Sequence, residues 1–325
     1  MTVLVTGGAG YIGAHTVRAL RDASRDVVVL DTLERGNRNA VIDAKLIVGD
    51  IADQKLVAKI CRKYKITDVV HFAAYKAVGE SMTHPMKYWQ NNVSSTIKLL
   101  ETLISQNVYR FVFSSSASVY GTPKSSPTTE NESTKPESVY AETKLAVENI
   151  LKSLDATGLK SVSLRYFNAA GASGDNKIGE DWMASQNLIP RVMLALLDDK
   201  FKFEVFGNDY ATPDGTCIRD YIHVEDLAIA HLKALEYLES GGKTMACNIG
   251  TGNGTSVTEL LEMAAQVAKR KVPYTIGARR DGDPVSVFAD ATLAQNVLGW
   301  QATHDLRSII ESAYNWHSTH PSGYN

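Results

Sequence analysis

The chain has 325 residues, of which 44% are hydrophobic and 22% are charged, and its formal net charge at pH 7 is -2. This composition is that of an ordinary globular protein, and the near-neutral charge provides no strong field to attract nucleic acid or an anionic membrane. The sequence contains no apolar run close to the roughly 18 residues that a membrane-spanning helix needs. We therefore expect neither a nucleic-acid partner nor a membrane partner, and one large domain or two modest ones.

Three cysteines, Cys61, Cys217 and Cys247, lie far apart in the chain. Their odd number and wide spacing predict neither a disulfide framework nor a zinc site. The first residues, "TVLVTGG", have the pattern of a strand and a glycine turn rather than that of a signal segment. We therefore expect a cytoplasmic protein with reduced cysteines.

Six short apolar runs in the first half of the chain are predicted to be strands. They are rich in Val, Ile and Phe and mostly do not alternate with polar residues, which is typical of parallel strands buried on both faces. The predicted strands are 3–7, 27–31, 45–50, 69–74, 110–116 and 161–168. Helical patterns lie between them, at 11–23, 53–64, 87–106 and 140–156. This alternation predicts an α/β protein with a doubly wound parallel sheet and right-handed crossovers.

The regular alternation ends at about residue 168. The polar segment 121–139 carries three prolines and is predicted to be a loop. After the glycine-rich stretch 169–179, helices are predicted at 187–198, 225–238, 256–270 and 305–317, with a strand near 203–207. We predict a first domain at 1–168 and a smaller mixed α/β domain at 169–325 over the carboxyl edge of the sheet. Some later segments are expected to return to the first domain.

A glycine-rich turn, "VTGGAGYIG", follows the first predicted strand. Gly7, Gly10 and Gly13 are spaced GxxGxxG between a strand and a helix, where glycine permits unusual backbone angles and close approach of a pyrophosphate. The phosphates would lie on the free amides of the helix N-terminus. Asp31 ends the second predicted strand, where an acid would bind the adenosine ribose hydroxyls. These features predict a dinucleotide-binding sheet of the Rossmann type, and a glycine turn that serves packing alone is the alternative.

The carboxylate of Asp31 also bears on the choice of cofactor. It would repel the 2'-phosphate of NADP, so we expect NAD. Arg35 and Arg38 lie nearby and are the feature that would favour NADP, although arginines in a surface loop are commonly solvated. In "GDI", Asp50 and Ile51 follow the third predicted strand, and we expect Asp50 to contact the adenine amino group. An ordinary strand-end acid is the alternative interpretation.

The stretch "SVYAETK" places Tyr140 and Lys144 four residues apart, on one face of a predicted helix. A phenol titrates near pH 10, but a neighbouring ammonium and an oxidised nicotinamide would both stabilise the phenolate and lower its pKa. The pair is then suited to act as a general base on an alcohol while NAD accepts a hydride. A polar patch on the helix surface is the alternative.

A run of serines, "SSSASVYG", ends the fifth predicted strand. Ligands of doubly wound sheets bind at the carboxyl ends of the strands, so Ser114, Ser115 and Ser116 are expected near the cofactor and the substrate. Their hydroxyls can hold the oxygen that reacts. A dinucleotide turn, a strand-end serine and a YxxxK pair in this order are far more specific than any one of them.

The motifs and their order resemble the extended short-chain dehydrogenase/reductase family, in its nucleotide-sugar branch. They comprise the glycine turn, "GDI", "HFAAYKAVGES", "NNV", "SSSASVYG", "YAETK", "RYFNAAGA", "IRDYIHVEDLA" and "RRDGDP". The likeness runs from about residue 3 to about residue 315. It implies epimerisation of UDP-glucose and UDP-galactose at C4 through a 4-keto intermediate, with tightly held NAD and a homodimeric assembly through the helices 87–106 and 140–156.

The resemblance also implies roles for individual residues. The residues that it implies at the cofactor are Tyr11, Ile12, Phe72, Ala73, Ala74, Lys76, Asn92, Ser114 and Phe167, beside the glycines and acids above. Those that it implies at the nucleotide sugar are Lys76, Ser116, Asn168, Asn187, Leu188, Arg219, Arg280, Asp283 and Val287. Ser116 would contact the 4-oxygen, Tyr140 would be the base and Lys144 would tune it. Ordinary ion pairs of Arg219 with Asp220 and of Arg280 with Asp281 are the alternative.

Other activities of the same family remain as alternatives. The 4,6-dehydratases carry an Asp-Glu pair after the strand-end serine, whereas this chain has Ala117 and Ser118, which disfavours dehydration. A net NAD-dependent nucleotide-sugar dehydrogenase or reductase would use the same triad, and a non-catalytic NAD-binding protein would keep only the fold. At Val287 the family has a bulky tyrosine in some members, and a smaller residue admits N-acetylated sugars. Some activity on UDP-N-acetylhexosamines is therefore expected.

Four histidines are not assigned to the reaction. His71 and His223 lie in apolar strand-like contexts and are expected to be hydrogen-bonded core residues. His317 and His320 lie near the C-terminus, where a frayed tail is expected rather than a metal site.

Overall fold

The computed structural model describes residues 1–181, 185, 187–280 and 282–324. Its centre is a parallel sheet of seven strands in the order β11-β6-β5-β4-β1-β2-β3. The first six strands in the chain are those predicted, with ends shifted by at most three residues. These strands are β1 (Thr2–Thr6), β2 (Asp26–Asp31), β3 (Lys45–Val48), β4 (Ile66–His71), β5 (Arg110–Ser114) and β6 (Lys160–Tyr166).

Helices cover both faces of this sheet because alternate strand residues point to opposite sides. Val3 and Val5 of β1 pack in the same cluster as α1 and α8, whereas Leu4 packs in the cluster of the helices on the other face. The covering helices are α1 (Tyr11–Asp22), α2 (Gln54–Tyr64), α5 (Ser95–Ser105), α6 (Val139–Leu154) and α8 (Val224–Glu239). The sheet is therefore buried on both sides, as its apolar strands predict.

The segment predicted as one helix at 87–106 consists of three consecutive parts. It begins with the short helix α4 (Pro85–Tyr88), passes through a π-helical turn at Trp89–Ser94 and continues as α5. Another short helix, α3 (Val78–Thr83), precedes it and was not expected from the sequence. The π turn buries Asn92, which is 3% exposed, beneath the loop that follows β4.

The chain returns to the large sheet after residue 168. Strand β11 (Met245–Ile249), for which the sequence analysis located no element, pairs with β6 and forms one edge of that sheet. The pairs β7 (Asn168–Ala170) with β10 (Tyr221–His223) and β8 (Glu204–Phe206) with β13 (Thr275–Gly277) form two further small sheets. In a third, β9 (Ile218–Arg219) lies between β12 (Thr255–Ser256) and β14 (Ser286–Val287). A separate apolar core joins β7, β8 and β10 to α7 (Leu188–Leu197), α9 (Val257–Ala268) and α10 (Leu306–Thr319).

The C-terminal segment is ordered, and the expectation of a frayed tail was wrong. The helix α10 continues to Thr319, and the ring of His320 stacks on Trp316 with centroids 3.8 Å apart. Tyr324 Oη donates a hydrogen bond to the carbonyl of Gly179 at 3.0 Å. These contacts pack Tyr324 and His320 around Trp316, next to the loop that follows β7. Within the described ranges, none of the helices combines the length and the apolar character that crossing a membrane requires.

Candidate active site

The predicted site residues gather around the carboxyl ends of β1, β4 and β5. These three strands are neighbours in the sheet, so the glycine turn after β1, the loop after β4 and the serines after β5 share one edge. The helix α6, which carries Tyr140 and Lys144, packs beside the π turn and β6. The order of the strands thus joins residues that are more than 100 positions apart in the sequence.

The glycine turn has the backbone geometry that requires glycine at two of its three positions. Gly7 has a positive φ of 71°, and a Cβ there would lie 2.6 Å from the amide nitrogen of Ala73. A Cβ on Gly13 would lie 2.3 Å from the carbonyl oxygen of Gly7. Gly10 is the N-cap of α1, whose first turn begins at Tyr11 and is uncharged. The turn therefore presents helix N-terminal amides to an anion, as a pyrophosphate site needs.

Asp31 lies at the end of β2 beside this turn and is 8% exposed. Its carboxylate accepts the amide hydrogens of Ala9 at 2.9 Å and Leu33 at 2.8 Å, which hold it against the glycine turn. Asp50 is exposed and accepts the amide of Ala52 at 2.8 Å. Asp31 is therefore oriented by backbone donors, whereas Asp50 lies at the open rim.

The loop after β4 supplies the next group of predicted cofactor residues. The amides of Phe72 and Ala73 donate to the carbonyl of Thr6, and the ring of Phe72 lies 4.6 Å from that of His231. Asn92 accepts the amide of Tyr75 at 2.9 Å and donates to the carbonyl of the same residue at 3.0 Å. These two hydrogen bonds of Asn92 hold the backbone of the loop after β4 in place.

The catalytic candidates Ser116, Tyr140 and Lys144 come together between β5 and α6. Ser138 caps α6 by accepting the amide of Ala141, and the amide of Tyr140 donates to Ser81 Oγ at 3.1 Å. Lys144 Nζ donates to the carbonyl of Ser114 at 2.7 Å and lies 5.8 Å from the centre of the Tyr140 ring. The tyrosine and the lysine are both buried.

Electrostatically, this pair differs from the sequence prediction in one respect. Burial raises the pKa of Tyr140 well above its ordinary value, the nearby Tyr166 adds to that shift, and a hydrogen bond with Ser116 opposes it. The raised pKa of Tyr140 in the protein alone is thus opposite to the lowering predicted with the ammonium and oxidised NAD present. The reason is that burial disfavours both charged forms, and it lowers the pKa of Lys144 to about 7.

Three of the predicted substrate residues meet at one small sheet. Arg219 Nη2 lies 2.6 Å from Asp283 Oδ1, and Val287 is paired with Arg219 across β9 and β14. The alternative prediction, an ion pair between Arg219 and Asp220, was wrong. The carboxylate of Asp220 instead accepts backbone amides such as that of Thr251. Arg219 and Asp283 therefore form a half-buried ion pair beside Val287.

Arg280 lies beside Asp283, whose amide donates to its carbonyl, but its side chain makes a different contact. Its guanidinium is stacked 3.9 Å from the centre of the Phe206 ring, and the side chain is exposed. The alternative partner Asp281 lies outside the described residues. The cation is therefore held on an aromatic face at the rim, where a phosphate oxygen can reach it.

Two of the remaining substrate candidates, Asn187 and Lys76, meet at the carboxylate of Glu180, which was not predicted from the sequence. Asn187 precedes Leu188 at the start of α7, and its side-chain amide donates a hydrogen bond to Glu180 Oε1 at 2.8 Å. Lys76 Nζ lies 3.5 Å from the same oxygen. Asn168 donates through its side chain to the carbonyl of Asp220 at 2.9 Å. Glu180 lies in a glycine-rich loop, and its position beside two predicted ligands follows only from the tertiary fold.

The predicted cofactor residues Tyr11, Ile12, Ile51, Ala74 and Phe167 occupy the walls of the same region. Tyr11 and Ile12 begin α1, and Tyr11 Oη donates to the carbonyl of Gly171 at 2.7 Å. Ile51 is buried in the apolar layer under β3. Phe167 packs against the small cluster of Ala117, Val119 and Tyr120 that follows Ser116. Four of these residues supply apolar side chains, and the hydroxyl of Tyr11 is already hydrogen-bonded within the protein.

The two core histidines make internal hydrogen bonds. His71 lies between Thr6 and Thr96, at 2.6 and 3.1 Å. His223 accepts the amide of Glu225 at Nδ1 and contacts Ser312 Oγ through Nε2, both at 3.1 Å. His223, Glu225 and His304 form the only group of potential metal ligands within the described part of the chain. The two bonds of His223 already use both of its ring nitrogens.

The chain is similar to proteins of known activity over its whole length. The model of the NAD dependent epimerase/dehydratase family matches residues 3–250. A UDP-glucose 4-epimerase of Lactobacillus helveticus is 48% identical over 100% of this chain and 99% of its own length. The structure of the Stenotrophomonas maltophila UDP-glucose-4-epimerase with NAD and formylated UDP-arabinopyranose superposes with a TM-score of 0.96, at 40% identity and 99% coverage of both chains. The Bifidobacterium longum enzyme with NAD+ and UDP gives a TM-score of 0.93 at 38% identity, covering 100% of both chains.

Proposed function

Because this chain belongs to the NAD dependent epimerase/dehydratase family, we propose that it interconverts UDP-glucose and UDP-galactose at C4 of the sugar. The observation that carries the proposal is the meeting of Ser116, buried Tyr140 and buried Lys144 at the sheet edge that also holds the glycine turn. The family and the relatives agree with a nucleotide-sugar epimerase that uses NAD. The roles of individual residues below are part of the proposal.

The described residues fit NAD. A Cβ at Gly13 would collide with the turn, so glycine keeps the amides at the start of α1 open to a pyrophosphate. Asp31, held by two backbone amides, offers its remaining lone pairs to the hydroxyls of the adenosine ribose. Lys144 is placed to reach the nicotinamide ribose. When bound, NAD supplies the acceptor and donor of the C4 hydride and a positive charge near the phenol.

In the proposed reaction, Tyr140 removes the proton of the 4-hydroxyl as the C4 hydrogen leaves as a hydride. Ser116, which is hydrogen-bonded to Tyr140, holds the same oxygen. The positive charges of the Lys144 ammonium and of bound NAD would lower the pKa of Tyr140, which burial alone keeps high. The 4-keto sugar then turns about its diphosphate, takes the hydride back on its other face, and receives the proton from Tyr140.

The nucleotide sugar would bind between the large sheet and the small sheets. Arg219 and Arg280 would supply cationic donors for the diphosphate, and Asp283 would accept a uridine ribose hydroxyl. The amides of Asn187 and Leu188 at the start of α7 and the side chain of Asn168 complete this side. Binding energy from the UDP part retains the keto intermediate while the sugar turns.

A second substrate class, the UDP-N-acetylhexosamines, is favoured by Val287. This residue lies on β14 opposite Arg219 and has a smaller side chain than the tyrosine that narrows the pocket in related enzymes. Among structures similar to this chain is a UDP-Glc/GlcNAc 4-epimerase of Campylobacter jejuni, at 36% identity and a TM-score of 0.85. We propose that the N-acetylated sugars are minor substrates.

We also propose that the protein is a cytoplasmic homodimer with two functional domains. Support for the dimer is the group of exposed apolar side chains around α3 to α5, namely Val78, Met82, Met86 and Ile97. Free Cys61, Cys217 and Cys247 agree with a reducing compartment. The NAD domain would comprise 1–168 together with α8 and β11, and the nucleotide-sugar domain the small sheets with α7, α9 and α10.

The test uses purified protein without added cofactor. We expect UDP-galactose to be converted to UDP-glucose, followed by chromatography, and Tyr140→Phe to lower kcat by about 1,000-fold because the base is lost. Tyr274→Phe is the matched control, since Tyr274 is exposed and far from the triad in the sequence. Accumulation of NADH from added NAD without formation of UDP-glucose would indicate a net dehydrogenase, and no conversion of UDP-galactose with or without added NAD would refute the proposed substrates.

A further inference from the structure

A buried ion pair lies directly behind the catalytic strand end. The side chains of Glu148 and Arg165 are 7% and 9% exposed. Arg165 donates from Nε and Nη2 to both carboxylate oxygens of Glu148, at distances of 2.5 to 3.2 Å. Its Nη1 donates to Tyr120 Oη at 2.9 Å, and Tyr120 donates to Asn248 Oδ1 at 2.7 Å. A carboxylate with these partners is held in one position as an anion.

This carboxylate acts on the catalytic groups in two ways. Ser115, which stands between Ser114 and Ser116, donates its hydroxyl to Glu148 Oε1. Glu148 also follows Lys144 by one helical turn on α6. Burial lowers the pKa of Lys144 to about 7, and the negative charge of Glu148 opposes that shift. By contrast, the hydrogen-bond acceptor of the ammonium, the carbonyl of Ser114, carries no charge.

We propose that Glu148 is a positioning residue for the epimerisation, which holds the Ser114–Ser116 strand end through Ser115 and keeps Lys144 protonated beside Tyr140. The inference rests on the proposed function, because it requires Lys144 to act as an ammonium. A neutral amine gives no charge to a phenolate, so activity must fall as the pH rises through the upper pKa of the Lys144–Tyr140 pair. That pKa belongs to the coupled pair and defines the alkaline limb of the pH profile.

The other groups that face Lys144 are neutral near pH 7. His71 on β4 has its pKa lowered to about 3 by burial, and Tyr166 on β6 has its pKa raised to about 12 by burial. Phe113 presents its ring to the ammonium at 4.9 Å. Among the described residues, Glu148 is thus the charged group that acts on the pKa of Lys144. Its neutralisation removes a stabilising anion, so the alkaline limb must move to lower pH.

The experiment measures kcat for UDP-galactose from pH 6 to 10 in the NAD-loaded enzyme. We expect Glu148→Gln to move the alkaline limb down by about one pH unit. Ser115→Ala keeps the ion pair and should lower kcat by about threefold with the limb in place, because only the hydroxyl contact is lost. Glu148→Asp keeps the charge and should restore the limb. Glu142→Gln, an exposed acid on the same helix, is the matched control and should change neither kcat nor the limb.

An unmoved limb in Glu148→Gln, with NAD retained, would overturn the inference and leave Glu148 a structural residue. If the unpaired Arg165 unfolds that variant, Glu148→Gln/Arg165→Gln leaves no lone buried charge. A smaller downward shift of the alkaline limb is then expected, because a more distant cation is removed together with the anion. A limb unmoved in the double variant would also overturn it. Wild-type enzyme in the same assay separates the two proposals, because its inactivity would refute the function itself.

Discussion

The cofactor side and the nucleotide-sugar side of the site are built differently. On the cofactor side, Gly7, Gly13 and Asp31 are held by backbone contacts on the large parallel sheet. On the sugar side, Arg219 bonds Asp283 and Asn187 bonds Glu180, from loops and strands of two or three residues. The proposed cofactor side is thus preorganised by backbone contacts, whereas a substrate on the proposed nucleotide-sugar side would have to replace existing side-chain partners.

The largest effect is expected from a substitution on the cofactor side. Gly13→Ala would place a Cβ 2.3 Å from the carbonyl of Gly7, so the start of α1 must move away from the pyrophosphate. We expect loss of retained NAD and at least about a 100-fold loss of kcat. The measurement is the NAD released from denatured protein, together with turnover. Gly174→Ala is the matched control, because a Cβ there meets no atom within 4 Å; full NAD content in Gly13→Ala would contradict a preorganised turn.

An intermediate effect is expected from a substitution on the nucleotide-sugar side. Arg219→Met removes a charge-assisted contact to the diphosphate, and we expect KM for UDP-galactose to rise by about 10- to 100-fold with kcat changed far less. Steady-state kinetics and UDP binding by calorimetry measure this. Arg270→Met removes an exposed ion pair with Asp199 and should leave KM unchanged. Equal losses of NAD retention and UDP binding in Arg219→Met would show that the two sides are not separable.

The smallest effect on the main reaction is expected at Val287. Val287→Tyr narrows the sugar pocket, so activity on UDP-N-acetylglucosamine should fall by about tenfold, while UDP-galactose turnover stays within about twofold. Both rates are measured on the same preparation. Val297→Tyr, at an exposed valine on a different element, should alter neither rate. An equal decline for both sugars would mean that Val287 does not set the substrate range.

The local features of this protein could be predicted from its sequence. Six apolar runs became six strands of the large sheet, and the spacing of Tyr140 and Lys144 placed both on one helix face. These predictions succeeded because periodicity, glycine geometry and helical spacing act over a few residues. The edge strand β11 was not located in this way, because its pairing with β6, which lies about 80 residues earlier, leaves no local pattern in the sequence.

Other features depend on residues that only the fold brings together. Glu148 reaches Arg165, and Glu180 reaches Asn187 and Lys76, through packing that no local pattern indicates. The raised pKa of Tyr140 in the protein alone also depends on the tertiary structure, because it comes from burial, whereas the lowering expected with bound NAD stays a prediction. The sequence by itself thus determined the type of sheet and the glycine turn, and it supplied the prediction of the reacting groups. The tertiary structure decided how those groups are charged and held, because desolvation and long-range pairing arise only when distant segments meet.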